Sequence, residues 1–372
     1  MRVGVPKEIK VHEYRVGLTP GSVRELVAHG HEVMVETGAG AATGVPDKAY
    51  SAAGARIAAD AAQVFAEAEL IVKVKEPQLA EWARLRPGQV LFTYLHLAPD
   101  PEQTHGLMQS GASAVAYETV TEPEGGLPLL RPMSEVAGRM APQVGARCLE
   151  KEAGGAGVLL GGVPGVPGAK VAIVGGGVVG ANAARIARGM RAQVTVLDRA
   201  PRVLSALDAE FDGAVATRFA TPDAIEDAVE EADLVIGAVL VPGAAAPKLV
   251  TRAMIARMRP GSVVVDVAID QGGCFETSRP TTHAEPTYVE EHVVHYCVTN
   301  MPGAVARTSA VALNNATLPF TLEIAEKGLA RACAENAHLA RGLNIHAGQV
   351  THPAVAEALG LQHLSVERAF AR

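Results

Sequence analysis

Residues 170–198 constrain the fold of this chain more than any other segment. The segment begins with a β-branched apolar run typical of a buried parallel strand. Three glycines then follow at G-x-G-x-x-G spacing, namely Gly175, Gly177 and Gly180. In this pattern the first glycine permits a tight turn, the second lets a diphosphate approach the backbone, and the third lets helix and strand pack closely. The segment therefore predicts a strand, a phosphate-binding turn and a helix, in that order.

The continuation of the same segment predicts which dinucleotide binds. Apolar residues recur at spacings of three and four over 179–190, as in an amphipathic helix whose N-terminal N–H groups face the phosphates. A second strand at 193–197 ends at Asp198, where a carboxylate accepts hydrogen bonds from the adenosine ribose and repels a 2′-phosphate. We therefore expect NAD as the cofactor, although the neighbouring Arg199 is a feature that favours NADP.

Length and composition limit the class of protein. With 372 residues, 48% hydrophobic and 20% charged, the chain is expected to form two globular domains. A net charge of −7 and the lack of a long apolar run predict neither a nucleic-acid nor a membrane partner. Because Met1 and Arg2 lead directly into an apolar run at 3–5, we expect no signal sequence and a cytoplasmic location. The four cysteines lack C-x-x-C spacing, so we expect neither disulfides nor a zinc site.

The first 130 residues alternate strand and helix patterns, as in a parallel α/β sheet. Thr19-Pro20 and Asp100-Pro101 are N-cap and first-turn pairs that predict helix starts. No glycine fingerprint occurs here, so we expect a second doubly wound domain that binds something other than a dinucleotide. The predicted strands are 3–5, 32–35, 70–74, 90–94 and 112–117.

The rest of the chain completes the dinucleotide domain and then returns to the first. Residues 134–153 are predicted as a bridging helix with Ser134 as its N-cap. A long helix at 308–327, interrupted at Pro319, is expected to cross back to the first domain, and the tail from Gly328 is expected to hold one or two short helices. Helices are expected from Pro222 and over 251–258, and strands at 214–217, 234–238, 263–268 and 293–298.

Polar residues that directly follow predicted strands are the first candidates for chemistry, because ligands of open α/β sheets bind beyond the carboxyl ends of the strands. Lys75, His96 and Asp270 hold such positions. Each alone is commonplace at a strand end or turn. Together they provide a cation for a carboxylate or carbonyl oxygen, a proton carrier and a carboxylate, as oxidation of an amino acid or hydroxy acid requires. His292 and His295 lie three residues apart on a predicted strand and face opposite sides, so we expect no metal site.

Several longer motifs then make the chain recognisable. It resembles the bacterial alanine dehydrogenases over nearly its full length, in the segments RVGVPKEIKVHEYRVGLTP, VKVKEP, YLHLA, RPMSEVAGRMA, VGGGVVG, LVIGAVLVPG, VDVAIDQGGCFETSRPTT and TNMPGAVARTS. The resemblance implies reversible NAD-dependent oxidative deamination of L-alanine to pyruvate and ammonia by a homohexamer. It also implies two doubly wound Rossmann-like α/β domains, a catalytic one from residues 1–130 and 305–372 and an NAD-binding one from residues 131–304.

The resemblance also implies roles for individual residues. Arg15 and Lys75 would bind the substrate carboxylate and carbonyl oxygen, Met133 would line the methyl group, and His96 and Asp270 would handle protons. The chain departs from several family members at Val203 and Ala220, where they carry lysine and serine near the adenosine, and Arg202 would substitute. The implied NAD contacts are Ser134, Gly175, Gly177, Val178, Val179, Gly180, Asp198, Arg202, Val239, Leu240, Val267, Ala268, Ile269, Asp270, Arg279, Val298, Asn300 and Met301.

Three alternatives remain open from the sequence. The first is the NAD-binding subunit of a transhydrogenase, which passes hydride between nucleotides and has no need for His96 with Asp270. The second is a saccharopine-type dehydrogenase that acts on larger amino acids. The third is a non-catalytic NAD sensor, which would bind NAD without turnover.

Overall fold

The computed structural model describes residues 1–239 and 246–371, which form two compact α/β units. One unit combines both chain ends, Met1–Met133 with Val305–Arg372, and the other comprises Ser134–Ala304. Each unit has its own parallel-dominated sheet, so the predicted fold class is confirmed. Within the described ranges no helix is both long enough and apolar enough to cross a membrane.

The N-terminal part of the first unit alternates strands and helices as predicted. Thr19 and Asp100 cap two of its helices, since their side chains accept hydrogen bonds from the N–H groups of Ser22 at 3.5 Å and Gln103 at 3.0 Å. The elements between 37 and 69 and the helix at Leu79–Trp82 were not predicted. In chain order the elements are β1 (Arg2–Val5), α1 (Pro20–Ala28), β2 (Glu32–Glu36), α2 (Asp47–Ala52), β3 (Arg56–Ala58), α3 (Ala61–Glu67), β4 (Leu70–Val72), α4 (Leu79–Trp82), β5 (Val90–Thr93), α5 (Pro101–Ser110) and β6 (Ser113–Ala116).

The second unit contains the predicted strands and helices with shifted boundaries, together with a helix at Pro201–Phe211 and a strand at Thr287–Glu290 that were not predicted. Its elements, counted from the helix at which the two units join, are α6 (Arg131–Cys148), β7 (Lys170–Val174), α7 (Val178–Gly189), β8 (Gln193–Asp198), α8 (Pro201–Phe211), β9 (Ala216–Phe219), α9 (Pro222–Glu231), β10 (Leu234–Gly237), α10 (Arg252–Arg257), β11 (Val263–Asp266), β12 (Thr287–Glu290) and β13 (Val293–Tyr296).

Several predicted boundaries in this unit are wrong. The helix expected over 134–153 ends at Cys148, and the strand expected at 293–298 ends at Tyr296. Ser134 lies inside α6 and does not cap it, because the chain already turns at Leu127 and Arg131 donates to the Leu127 carbonyl at 2.9 Å. The strand expected at 214–217 lies two residues later, at Ala216–Phe219. The strand expected at 263–268 ends at Asp266, because the next residues form a 3₁₀ turn, Val267–Gln271.

The C-terminal segment differs most from its prediction. Its first helix, α11 (Ala306–Lys327), runs continuously across Pro319. One or two short helices were expected after it, but the described part of the tail forms four helices and two strands, and the first of these strands pairs antiparallel with β6. The tail consists of α12 (Leu329–Glu335), α13 (Ala337–Ala340), β14 (Leu343–His346), β15 (Gln349–Val350), α14 (Pro353–Leu359) and α15 (Val366–Phe370).

The strand orders locate a switch point in each sheet. The first sheet has the order β15-β14-β6-β5-β4-β1-β2-β3, and the second has the order β12-β13-β11-β10-β7-β8-β9. In the first sheet the chain proceeds outward from β1 in one direction and from β4 in the other. In the second sheet the chain proceeds outward from β7 in one direction and from β10 in the other. Ligands of such sheets bind at the carboxyl ends of the strands next to this reversal.

Candidate active site

The switch point of the first sheet brings two of the predicted residues onto neighbouring strand ends. β4 and β5 are parallel, with Val72 opposite Phe92, and Lys75 and His96 follow them. The Thr93 hydroxyl donates to the Lys75 carbonyl at 3.0 Å, which ties the two strand extensions together. Lys75 is half-buried, and within the described part of the chain its ammonium makes no hydrogen bond or ion pair.

Arg15 lies buried in the segment that follows β1. Its Nε and Nη2 atoms donate to the two carboxylate oxygens of Glu13 at 2.7 and 2.6 Å, and Nη1 is 2.9 Å from Met133 Sδ. Burial by itself lowers the pKa of the guanidinium, but the hydrogen bonds and charge of Glu13 raise it overall. Arg15 and Met133, both predicted for substrate, are therefore in contact. Glu13, which the sequence analysis did not identify, raises the pKa of the Arg15 guanidinium and fixes its orientation.

A second buried ion cluster surrounds Lys73, two residues before Lys75. The Lys73 ammonium is fully buried and contacts Glu8 Oε2 at 3.0 Å and Glu81 Oε1 at 2.7 Å. Burial lowers the pKa of Lys73, but the two carboxylates more than offset this, so its pKa lies above the ordinary value. Burial raises the pKa of Glu8, opposed by the charge of Lys73. Glu8 also accepts from the Val74 N–H at 2.7 Å, so the cluster fixes the strand end that carries Lys75.

His96 is held in an uncommon backbone conformation. Its φ is +51°, and the Glu118 carboxylate accepts from its N–H at 2.7 Å and from the Leu95 N–H at 3.2 Å. The imidazole stacks on the Tyr94 ring with centroids 6.0 Å apart and an interplanar angle of 10°. Left-handed backbone at a non-glycine residue costs about 1 kcal/mol or more, and the Glu118 hydrogen bonds offset this cost.

Glu118 and Tyr94 are functional candidates that the sequence analysis missed. Glu118 follows the strand Ser113–Ala116 by two residues, so the rule that selected Lys75 and His96 also applies to it. Tyr94 is buried, and its hydroxyl donates to the Leu129 carbonyl at 2.5 Å. Burial raises the pKa of Tyr94, so its hydroxyl stays protonated and its ring serves as a rigid support for the imidazole.

In the second unit each of the three glycines of the G-x-G-x-x-G motif lies in a different structural environment. Gly175 adopts φ +101°, and a Cβ there would lie 2.7 Å from the Ala238 carbonyl oxygen across the switch point. A Cβ at Gly177 would meet no atom within 4 Å, so open space lies before the N-terminus of α7. A Cβ at Gly180 would overlap the Gly175 carbonyl oxygen. The turn therefore leaves room for a diphosphate against backbone N–H groups.

Asp198 ends β8 beside this turn. Its Oδ2 accepts from the Gly176 N–H and its Oδ1 from the Ala200 N–H, both at 2.7 Å. The carboxylate is half-buried and retains lone pairs for the hydroxyl groups of a ribose. Arg202 is exposed in the first turn of α8. Ala220 is buried in the hydrophobic core of this unit and offers no polar contact.

The other predicted cofactor contacts gather at the same edge of the second sheet, except Leu240, Ser134 and Arg279. Leu240 lies outside the described residues, and Ser134 lies half-buried in α6. Asp270 is exposed in the 3₁₀ turn after β11, and Asn300 adopts φ +60° after β13. The remaining residues at carboxyl strand ends are Val178 and Val179 after β7, Val239 after β10, Val267, Ala268 and Ile269 after β11, and Val298 and Met301 after β13.

The Arg279 side chain lies apart from these strand ends. Its guanidinium carbon is 3.9 Å from the centroid of the Tyr288 ring, and Nη1 is 3.6 Å from Glu290 Oε2. Glu290 pairs with Val293 at the amino end of β13. The structure therefore directs the charge of Arg279 away from the edge where the other predicted contacts lie.

The two strand-end groups suit different ligands. The first combines a bidentate-held guanidinium, an ammonium and an imidazole, which suits a small carboxylic acid that exchanges protons. The second combines an open glycine turn, a helix N-terminus and a carboxylate, which suits a dinucleotide with a free ribose 2′-hydroxyl.

Comparison with known proteins identifies the family of the chain. The family profiles described as Alanine dehydrogenase/PNT, N-terminal domain and C-terminal domain match residues 4–137 and 141–353. An alanine dehydrogenase of Halomonas elongata is 63% identical over 98% of both chains. A solved L-alanine dehydrogenase is 52% identical with a TM-score of 0.94, and covers 97% of this chain and 99% of its own.

The chain is also similar, at lower sequence identity, to a transhydrogenase. The solved structure of a transhydrogenase from Sinorhizobium meliloti is 28% identical with a TM-score of 0.80, over 95% of this chain and 100% of that one. Both the profiles and the full-length relatives span the two units described above. The chain therefore belongs to the alanine dehydrogenase/PNT family.

Proposed function

We propose that this protein is an L-alanine dehydrogenase, which catalyses the reversible NAD-dependent oxidative deamination of L-alanine to pyruvate and ammonia. The observation that carries the proposal is the group of Arg15, Lys75 and His96 at the switch point of the first sheet. A transhydrogenase, which passes hydride between nucleotides, has no use for a proton-transferring histidine there. The 63% identity to an alanine dehydrogenase, against 28% to a transhydrogenase, supports the same choice.

Each unit receives a role in this proposal. We assign substrate binding to the unit formed by both chain ends, expected at 1–130 and 305–372, and NAD binding to the unit expected at 131–304. The open space at Gly177 and the carboxylate of Asp198 fit the diphosphate and the adenosine ribose of NAD. When bound, NAD accepts the hydride that leaves the alanine Cα.

The residues of the chain supply binding and proton transfer. Arg15, already neutralised by Glu13, donates hydrogen bonds to the substrate carboxylate, and the Lys75 ammonium supplies the net positive charge that the carboxylate or carbonyl oxygen needs. Met133 lines the space for the methyl group. His96 takes a proton from the attacking water and returns one to the departing ammonia. Asp270 is the second proton-handling group.

The test is an assay of NADH formation with NAD and a panel of L-amino acids, followed by the reverse reaction with pyruvate and ammonia. The proposal predicts that alanine is the preferred substrate and that both directions proceed. Tight NAD binding without turnover of any amino acid would favour an NAD sensor, and preference for a larger amino acid would favour a saccharopine-type enzyme. Hydride transfer between nucleotides alone would favour the transhydrogenase.

We further propose that the protein acts in the cytoplasm as a homohexamer, as the family resemblance implies. Light scattering of the purified protein should then give a mass close to that of a hexamer. A mass close to that of one chain would contradict the assembly without contradicting the reaction.

Replacing Lys75 by methionine should impair both substrate binding and turnover. The ammonium makes no ion pair within the described residues, so its charge is available for substrate, and its contact should strengthen as negative charge develops on the reacting oxygen. We expect a higher KM for alanine and a lower kcat, with the affinity for NAD unchanged, as measured by steady-state kinetics and NAD titration. An effect on KM alone would limit Lys75 to ground-state binding.

Replacing Asp198 by alanine should reduce the preference for NAD over NADP. A hydrogen bond to a charged group changes binding about 10- to 100-fold, and removal of the carboxylate also ends its repulsion of a 2′-phosphate. The measurement is kcat/KM with each cofactor for both proteins. Because Asp198 also accepts from the Gly176 and Ala200 N–H groups, the thermal unfolding midpoint is recorded alongside. Equal kcat/KM for NAD and NADP in the unmodified protein would remove Asp198 from this role.

A further inference from the structure

One buried carboxylate in the second unit gathers hydrogen bonds from both ends of the loop that carries Asp270. Asp266, the last residue of β11, has no exposed surface. Its Oδ1 accepts from the Ala268 N–H at 3.0 Å, and its Oδ2 accepts from the Cys274 N–H at 2.9 Å and the Ser278 hydroxyl at 2.5 Å. Burial raises the pKa of this carboxyl, and these hydrogen bonds oppose the rise.

The loop closes directly over that carboxylate. Gly273 adopts φ +77°, and a Cβ at this position would lie 2.5 Å from Asp266 Oδ2. The backbone thus approaches the carboxylate more closely than any other residue type would permit. Outside this contact, the loop is held by Lys248, whose ammonium donates to the carbonyls of Gly272 and Phe275 at 2.6 and 3.0 Å.

Asp270 depends on this arrangement for its position. It lies in the 3₁₀ turn Val267–Gln271, and its exposed side chain makes no hydrogen bond or ion pair with any described residue. Short 3₁₀ turns have little stability of their own. The place of the Asp270 carboxylate is therefore set by the backbone of the loop, and that backbone converges on Asp266.

We propose that Asp266 is a positioning residue for the reaction, which fixes the Asp270 loop through Ala268, Cys274 and Ser278. The inference rests on the proposed function, since it assumes that Asp270 handles a proton. An acceptor with two oxygens that share a charge is required, because the N–H and O–H groups of Ala268, Cys274 and Ser278 point at it, and the Cys274 thiol also donates to Oδ1 at 3.7 Å. An asparagine at 266 has one acceptor oxygen, and its NH₂ group would face a donor.

The test combines kinetics with two graded substitutions. Asp266→Asn should lower kcat for alanine oxidation about 10- to 100-fold, the range expected for lost hydrogen bonds to a charged group, and Ser278→Ala should lower it less. Each substitution is repeated in an Asp270→Asn background. If Asp266 acts through Asp270, its effect on kcat should largely vanish in that background. Equal fold losses in both backgrounds would overturn the proposal.

A matched control and a second readout keep the result independent of folding and of the proposed activity. Ser262 is buried near the opposite end of β11 and donates to the Ala232 carbonyl at 3.4 Å, so Ser262→Ala removes a similar hydrogen bond away from the loop. Amide hydrogen exchange over 267–277 should rise about tenfold in Ser278→Ala but not in Ser262→Ala. Unchanged exchange in Ser278→Ala would overturn the positioning role, whether or not the protein oxidises alanine. Failure of the unmodified protein to oxidise alanine would contradict only the proposed function.

Discussion

Replacing His96 by alanine should lower alanine-dependent NADH formation by roughly 10²- to 10⁴-fold, the usual contribution of a general acid or base. The imidazole is half-exposed at the end of β5, and its orientation is set by the Tyr94 ring and by the Glu118 carboxylate that holds its backbone. NAD binding should change little, because the residues proposed to bind the dinucleotide belong to the other unit. Steady-state kinetics and an NAD titration measure the two effects separately.

The matched control is His105→Ala. His105 is an exposed histidine on α5 of the same unit, and its Nδ1 lies 2.6 Å from the Pro101 carbonyl oxygen. Its removal should leave kcat unchanged. If His96→Ala retains activity within about threefold of the unmodified protein, well below a general-base contribution, the assignment of His96 is wrong.

The second large effect concerns stability. Replacing Lys73 by methionine keeps the approximate length of the side chain but leaves the Glu8 and Glu81 carboxylates buried side by side without their cation. Loss of one partner from a buried ion pair typically costs about 3–5 kcal/mol of unfolding free energy. The expected result is a large fall in the denaturation midpoint of this unit.

The chain offers a control and a local probe for that measurement. Lys75→Met makes the same substitution two residues further on, where the charge lowers the pKa of Glu76 and Glu76 keeps its direct ion pair with Lys10, so stability should change less. Trp82 is the sole tryptophan of the sequence and adjoins Glu81 in α4, so its fluorescence reports unfolding where the charge is removed. Equal denaturation midpoints for Lys73→Met and Lys75→Met would contradict the buried-charge explanation.

Local patterns predicted those parts of the site that depend on residues near in sequence. The strand, turn and helix around Gly175 and Gly180 follow from backbone sterics, which act within a few residues. Lys75 and His96 followed from one rule, that polar residues after parallel strands meet at the same edge. The same rule applied to the strand before Glu118 would have found it as well.

Contacts between distant parts of the chain were not predictable in this way. Lys73 stands inside an apolar run, and its partner Glu8 lies 65 residues earlier, so no local pattern marks it as an ion-pair centre. Asp266 was assigned to a strand interior because its role depends on a loop that returns to it at Ser278. The four residues of β14 resemble a loop by their sequence alone, and they form a strand because they pair with β6.

The pairing of β14 with β6 also has a consequence for synthesis of the chain. Ser113 on β6 bonds to His346 on β14, 233 residues later, so β6 keeps an open edge until almost the whole chain has left the ribosome. The second unit, contiguous at Ser134–Ala304, can fold in the interval. An unpaired strand edge is a template for pairing with other chains. Nascent chains interrupted before residue 343 therefore carry the aggregation hazard that the completed protein avoids.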